Sequence, residues 1–133
     1  MKLTNPYFKY AVKLLPHKDK RHKGGEDAYV AQDNLIAVAD GVGGWGEVGV
    51  DPALFSKELC SNIKKIFDEN PKESLKEVLV SAVKLQTFKG SSTAVLAKFD
   101  QENPGNILTT NLGDSGYLLC HVEYDGKGEP KLE

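Results

Sequence analysis

The sequence is poor in most features that mark specialised proteins. Two cysteines, Cys60 and Cys120, stand among 133 residues. They lie far apart and form no CxxC pair, so a paired-thiol redox or metal motif is excluded and two reduced, packed thiols in an intracellular protein are expected. No apolar run approaches the roughly 20 residues that span a bilayer, so no transmembrane segment is expected. The formal net charge is only −2, which removes the usual reason to expect nucleic acid or an anionic membrane surface as partner. Internal repeats, low-complexity tracts and domain linkers are absent too, so the 133 residues read as one domain or part of one. Residues 1–18 carry Lys2, Lys9, Lys13 and Lys18 and no acid, but they hold no arginine and little serine, unlike a transit peptide. Phe8, Tyr10, Val12 and Leu14 instead alternate with Lys9, Ala11 and Lys13 and predict a first strand with one buried face.

What the sequence does have is punctuation. Asp33-Asn34 separates AYVAQ from LIAVA, two short strand patterns that predict a hairpin. LIAVA shows no polar alternation and is expected to be buried on both faces. Asp51 followed by Pro52 is a helix start, and Phe55, Leu59, Ile63, Ile66 and Phe67 recur at helical spacing after it. Asn70-Pro71 ends that helix, and Leu75, Val78, Leu79, Ala82, Val83 and Leu85 predict a second one to about residue 87. STAVLAKF, NILTTNL and SGYLLCHVEY then predict three strands, divided by QENPG and by Gly113-Asp114, with a further turn at Asp125-Gly126-Lys127-Gly128. Antiparallel strands around a helix pair make the fold class α+β.

The densest punctuation is AVADGVGGWG, residues 37–46, where an apolar strand ends in Asp40 and runs into glycines. Gly41, Gly43 and Gly46 formally fit the dinucleotide pattern GxGxxG. Three features oppose that reading. The Asp40 charge would repel a pyrophosphate. The helix starts at Asp51 rather than at the glycines. A second helix follows the first where a βαβ unit needs a strand. The other reading is a hard cation, which takes carboxylate and main-chain oxygens. Glu26 and Asp27 begin the neighbouring strand and fall opposite or beside Asp40, and Gly41 would let a main-chain carbonyl approach an ion. On spacing alone these acids are equally well explained as surface loop residues.

GGEDAYV, VADGVGGW, GVDPALFS, GSSTAVLA and TTNLGDSGYLL, in this order, resemble the PPM family of metal-dependent Ser/Thr protein phosphatases (type 2C) from about Leu14 to Leu119. DGVGGW, GDSGY and the stretch LLPHKDK…GGEDA resemble the branch of that family found largely in mitochondria and plastids, with the cytoplasm as the other compartment compatible with an intracellular protein. The resemblance implies a β-sandwich flanked by antiparallel helices, with residues 1–133 as the N-terminal, incomplete part of a single domain. It implies hydrolysis of phosphoserine and phosphothreonine by a water activated between two Mn²⁺ or Mg²⁺ ions. Carried over by motif, Asp40 bridges both ions, Gly41 offers its carbonyl to one, Glu26 is an acidic ligand of that one, and Asp27 supports the site by orienting water. Asp40 and Asp27 are thus the expected catalytic residues, and Glu26, Asp40 and Gly41 the metal ligands. Ser92-Thr93 and Asn111 to Ser115 match motifs that shape the site floor, and Asp114 is either a support for the site or a plain turn residue.

The sequence departs from the family in three places. Val42 stands where many members have a histidine that is a proposed general acid. His22 stands where many have a phosphate-gripping arginine, leaving Arg21, His22 and Lys23 as candidates for that task, or as a solvated basic loop. The family's domain is about twice as long, and two further aspartates of its metal site belong to the later part. The expected partners are therefore a phosphoprotein substrate and the C-terminal half of the same fold. The alternative is an inactive, truncated PPM-like fragment that serves as a binding or complementing module.

Overall fold

The structure, a computed structural model, describes residues 5–19 and 25–132. Its centre is an antiparallel sheet of β1 (Asp27–Gln32), β2 (Leu35–Asp40), β3 (Ala94–Phe99) and β4 (Ile107–Leu112), hydrogen-bonded in that order. β1 and β2 form the expected hairpin about Asp33-Asn34, with Ala28 opposite Ala39 and Tyr29 opposite Val38. Two helices, α1 (Pro52–Glu69) and α2 (Leu75–Lys84), fill the connection from β2 to β3. The Asp51 carboxylate accepts the Ala53 N–H at 2.9 Å and caps α1, with Pro52 at its first position. Ser74 caps α2 by accepting the Glu77 N–H at 3.2 Å. The helices run antiparallel: Asn70 closes α1 just before α2 starts, while Gln86 beyond α2 donates 2.9 Å to the Phe55 carbonyl in the first turns of α1.

Both helices pack on one face of the sheet. Leu59, Ile63 and Phe67 of α1 and Leu75, Val78 and Ala82 of α2 meet Leu35, Ala37, Ala39, Ala94 and Leu96 in a single core. Cys60 joins that core, and burial pushes its thiol up to about 12, so it is a packed thiol with almost no thiolate at neutral pH. Lys98 lies on the same face, 4% exposed, and donates to the Glu73 and Pro71 carbonyls at 2.6 and 3.2 Å, tying the interhelix link to β3. Burial pulls its ammonium below the ordinary lysine range.

The opposite face departs from expectation. In LIAVA only Leu35, Ala37 and Ala39 are buried, while Val38 is 44% exposed. The helices cover one face only, so β2 alternates after all. Tyr29 and Ile107 share the open face with Val38. Among the described residues this sheet is one layer, and β5 (Val122–Tyr124) with β6 (Pro130–Leu132) makes a separate two-stranded sheet about the turn at Asp125.

Two predicted strands are corrected. Residues 8–14 join no ladder: Tyr10, Val12 and Leu14 are exposed. The segment is tied to the sheet at its two ends: Phe8 N donates 2.8 Å to the Asp33 carbonyl in the β1–β2 turn and its ring stacks on Phe99 at the end of β3, while Pro16 lies against Gly25 just before β1. Alternation marks a strand only where a ladder and a covering layer both exist, and neither is supplied here. Of SGYLLCHVEY only Val122–Tyr124 is strand, and Leu118 is 88% exposed. The second helix also ends earlier than expected, at Lys84. Glu58 of α1 captures the chain beyond it, accepting the Thr87 and Phe88 N–H groups at 2.6 and 3.2 Å.

The Glu58 clamp carries a pH signature. Burial opposes its ionisation, but hydrogen bonds from the Thr87 hydroxyl, the Thr87 N–H and the Phe88 N–H outweigh that and hold the carboxyl below its usual range. A depressed carboxyl pKa adds stability that is fully present above the unfolded value, about 4.3, and is lost as pH falls through the folded value. Glu58→Gln is therefore expected to flatten the acid loss of stability below about pH 4.3. Urea unfolding between pH 5 and pH 3 checks this, and equal slopes for the two proteins would remove Glu58 from the account.

Candidate active site

The four-stranded sheet ends, on the side where β2 leaves it, in acids. Asp27 opens β1 and Asp40 closes β2, and the two are cross-strand partners. Glu26 precedes Asp27, and its carbonyl accepts the Gly41 N–H at 3.0 Å, which continues the hairpin one step beyond β2. The Ser56 hydroxyl, fully buried in the first turns of α1, reaches the same carbonyl at 2.6 Å. The Glu26 main chain is thereby fixed from the strand and from the helix together.

Gly41 has a specific reason to be glycine. A Cβ built there would lie 2.5 Å from the Pro52 carbonyl oxygen and 2.9 Å from that of Glu26. The first residue of α1 thus packs directly on the strand end. At Gly44 and Gly46 an added Cβ would meet nothing within 4 Å. Close approach therefore explains Gly41 and leaves those two unforced by the chain's own packing. The glycine-rich stretch itself forms a short 3₁₀ helix, Gly43–Val48. Gly49 ends it in the left-handed conformation, φ 81°. Trp45 anchors it by donating from Nε1 to the Ser91 hydroxyl at 2.8 Å. Val42 is 43% exposed beside Gly41.

The third side of the site is the segment before β3. Gly41 bridges Ser92, framed by bonds from Thr93 N to the Asp40 carbonyl, 2.9 Å, and from Val42 N to the Ser91 carbonyl, 3.0 Å. The Asp40 N–H goes to the Thr93 hydroxyl at 3.2 Å, and that hydroxyl lies 2.5 Å from the Ser115 hydroxyl. Gly113, at φ 91°, leaves room for the Thr93 methyl, which a Cβ there would approach to 2.8 Å. Asp114 is an exposed bend residue after it.

The structure thus brings together Glu26, Asp27, Asp40 and Gly41. Arg21, His22 and Lys23 lie outside the described residues. Ser56, Thr93 and Ser115 join the site through hydroxyl bonds that no local sequence pattern specifies. Ser56 carried a signal: it is a polar residue three positions before Leu59 on the apolar stripe of α1. The donors at the site are carboxylates and the Gly41 carbonyl, the chemistry of a hard cation rather than of zinc. Among the described residues no group of three or more His, Cys, Asp or Glu could hold an ion. Glu26, Asp27 and Asp40 fit such a cation in the chemistry of their donors, while their described side chains do not by themselves close into a three-acid cluster. The dinucleotide reading fails on topology, because the strands on either side of the helix pair are antiparallel.

This arrangement is an α+β sheet end with a fixed acidic rim. No family model matches the chain. Among curated proteins it is similar to the probable protein phosphatase 2C 55 of Arabidopsis thaliana, 40% identical over 109 residues, covering 79% of this chain and 23% of that protein. The probable protein phosphatase 2C 26 of Arabidopsis thaliana is 40% identical over 112 residues, covering 81% of this chain and 37% of its own length. Among solved structures, the photosystem II phosphatase PBCP superposes with a TM-score of 0.70 at 33% identity, covering 86% of this chain and 45% of that one. The chain belongs to the protein phosphatase 2C, or PPM, family. It spans less than half the length of these relatives. Among the described residues no helix is long and apolar enough to cross a membrane.

Proposed function

We propose that this chain forms the Asp40 side of the active site of a protein serine/threonine phosphatase acting on phosphoserine and phosphothreonine. The observation that carries this reading is the convergence at the sheet end, where Glu26 and the Ser91–Thr93 segment fix the main chain of Asp40 to Val42, and Ser56 of α1 in turn fixes the Glu26 carbonyl. In this reading Asp40 would hold two Mn²⁺ or Mg²⁺ ions, with Gly41 contributing its carbonyl and Glu26 its carboxylate to one of them. Bound ions would supply an activated water and neutralise the phosphoryl oxygens. Asp27, cross-strand from Asp40, orients water at that end. Arg21, His22 and Lys23 supply the positive charge that receives the phosphate. Val42 cannot donate a proton, so the leaving hydroxyl is protonated from elsewhere. The remainder of the ligand set comes from the second half of the fold, which covers the open sheet face of Tyr29, Val38 and Ile107. Of the plastid and mitochondrial placements suggested by DGVGGW, similarity to a photosystem II phosphatase favours the plastid.

The test is calorimetric titration of the native protein with Mn²⁺. Saturable binding is expected, with Asp40→Asn weakening it by at least about tenfold. Equal affinity in the two proteins would overturn the assignment of Asp40. In parallel, this chain alone is expected to show no Mn²⁺-dependent turnover of an aryl phosphate, and to gain it with the second half of the fold. Binding without turnover in the combined protein would favour the inactive binding module.

A further inference from the structure

The seam between β2 and β3 breaks its own rule at Asp40. In an antiparallel ladder a bonded pair exchanges two main-chain hydrogen bonds. Asp40 and Thr93 make the first, from Thr93 N to the Asp40 carbonyl at 2.9 Å. The return bond from Asp40 N goes to the Thr93 hydroxyl instead, at 3.2 Å. The Thr93 carbonyl is taken by the Ser92 hydroxyl at 2.7 Å. A side chain thus stands in for main chain at the residue on which the site turns. Its hydroxyl continues to the Ser115 hydroxyl, 2.5 Å away. Asp40 N donates to Thr93 Oγ1, and the Thr93 and Ser115 hydroxyls are hydrogen-bonded to each other with either as donor, so the Asp40 amide, Thr93 and Ser115 form one connected line of hydrogen bonds.

We infer that Thr93 is a positioning residue for Asp40, joining it to the loop at Ser115. The inference rests on the reading of Asp40 as metal ligand given above. A strand end held only by ladder bonds frays, and a carboxylate there would be aimed loosely. Locking its own N–H to a side chain that is braced against another loop fixes the backbone from which the carboxylate projects, the function that supporting groups serve around metal ligands. The Thr93 methyl seats the side chain against the Gly113 turn, so only one rotamer presents the hydroxyl to both partners.

Two variants of the native protein separate positioning from plain structure. Thr93→Val keeps the shape and loses the hydroxyl, and Thr93→Ser keeps the hydroxyl. Thr93→Val is expected to weaken Mn²⁺ binding about tenfold and Thr93→Ser to stay within about twofold of wild type. Amide hydrogen exchange supplies a second readout that needs no metal. The Asp40 amide is expected to exchange about tenfold faster in Thr93→Val, with wild-type protection returning in Thr93→Ser. Unchanged exchange at Asp40 in Thr93→Val overturns the inference. Faster exchange with unchanged Mn²⁺ affinity overturns it as well, since the bond would then aim nothing. If wild type itself binds no Mn²⁺, the reading of Asp40 as ligand falls and takes the positioning role with it, while the exchange data still report on the hydrogen bond.

Discussion

Alanine at position 41 is expected to cost the fold about 3 kcal/mol or more, at or beyond the upper end for overpacking. Added methyl groups are often absorbed because a flexible side chain moves aside. Here the obstacles are main-chain oxygens, those of Pro52 at 2.5 Å and Glu26 at 2.9 Å. Pro52 is the first residue of α1, and the Glu26 carbonyl already holds Gly41 N and the Ser56 hydroxyl. Relief requires the start of α1 to lift from the sheet or the hairpin end to open, and either loses bonds at the site. The expected result is a melting temperature lower by roughly 10 °C. Circular dichroism melts measure it, with Gly44→Ala as control, where the new Cβ meets nothing within 4 Å. If both variants melt like wild type, the close approach at Gly41 is not holding the helix to the sheet.

Phe67→Ala is expected to cost about 3–5 kcal/mol, the range for emptying a buried aromatic site. Phe67 is 2% exposed near the end of α1, in one core with Leu35, Leu75 and Leu96. Those neighbours belong to α2 and to two strands, so collapse into the void would have to move all three elements together. Urea unfolding should show a lower midpoint with the slope unchanged. Leu118→Ala, at a position 88% exposed, is expected to stay within about 0.5 kcal/mol. A loss at Phe67 no larger than that would show that the helix pair is not docked as described.

The parts of this fold that were legible in the sequence are those encoded by near neighbours. Asp33-Asn34 sets the hairpin, and the hairpin alone puts Asp27 across from Asp40. Asp51-Pro52 sets the start of α1, and Asp100 to Asn106 turns β3 back into β4. What misled was burial without a partner. LIAVA and Phe8 to Leu14 look like strands to be covered, yet the described residues cover one face of β2 and leave Tyr10, Val12 and Leu14 exposed. The site was legible as a set of residues and illegible as wiring. Glycine at 41 was expected to admit an ion, and the structure adds a second reason, the carbonyls packed against it. The bonds of Ser56, Thr93 and Ser115 link residues 22 to 53 positions apart, beyond the reach of any local pattern.

The sheet also implies an order of assembly. The hairpin of β1 and β2, the pair of α1 and α2, and the hairpin of β3 and β4 each form between chain neighbours. Among the ladders of this four-stranded sheet, the seam of β2 with β3 alone draws in distant chain, and Asp40 meets Thr93 across it at a separation of 53 residues. Loop-closure entropy concentrates on that one event. The acidic end of the sheet is therefore assembled in the step that also commits the chain to its fold. A nascent chain whose hairpin is complete already displays Asp27 beside Asp40, but it acquires a fixed site only when β3 arrives.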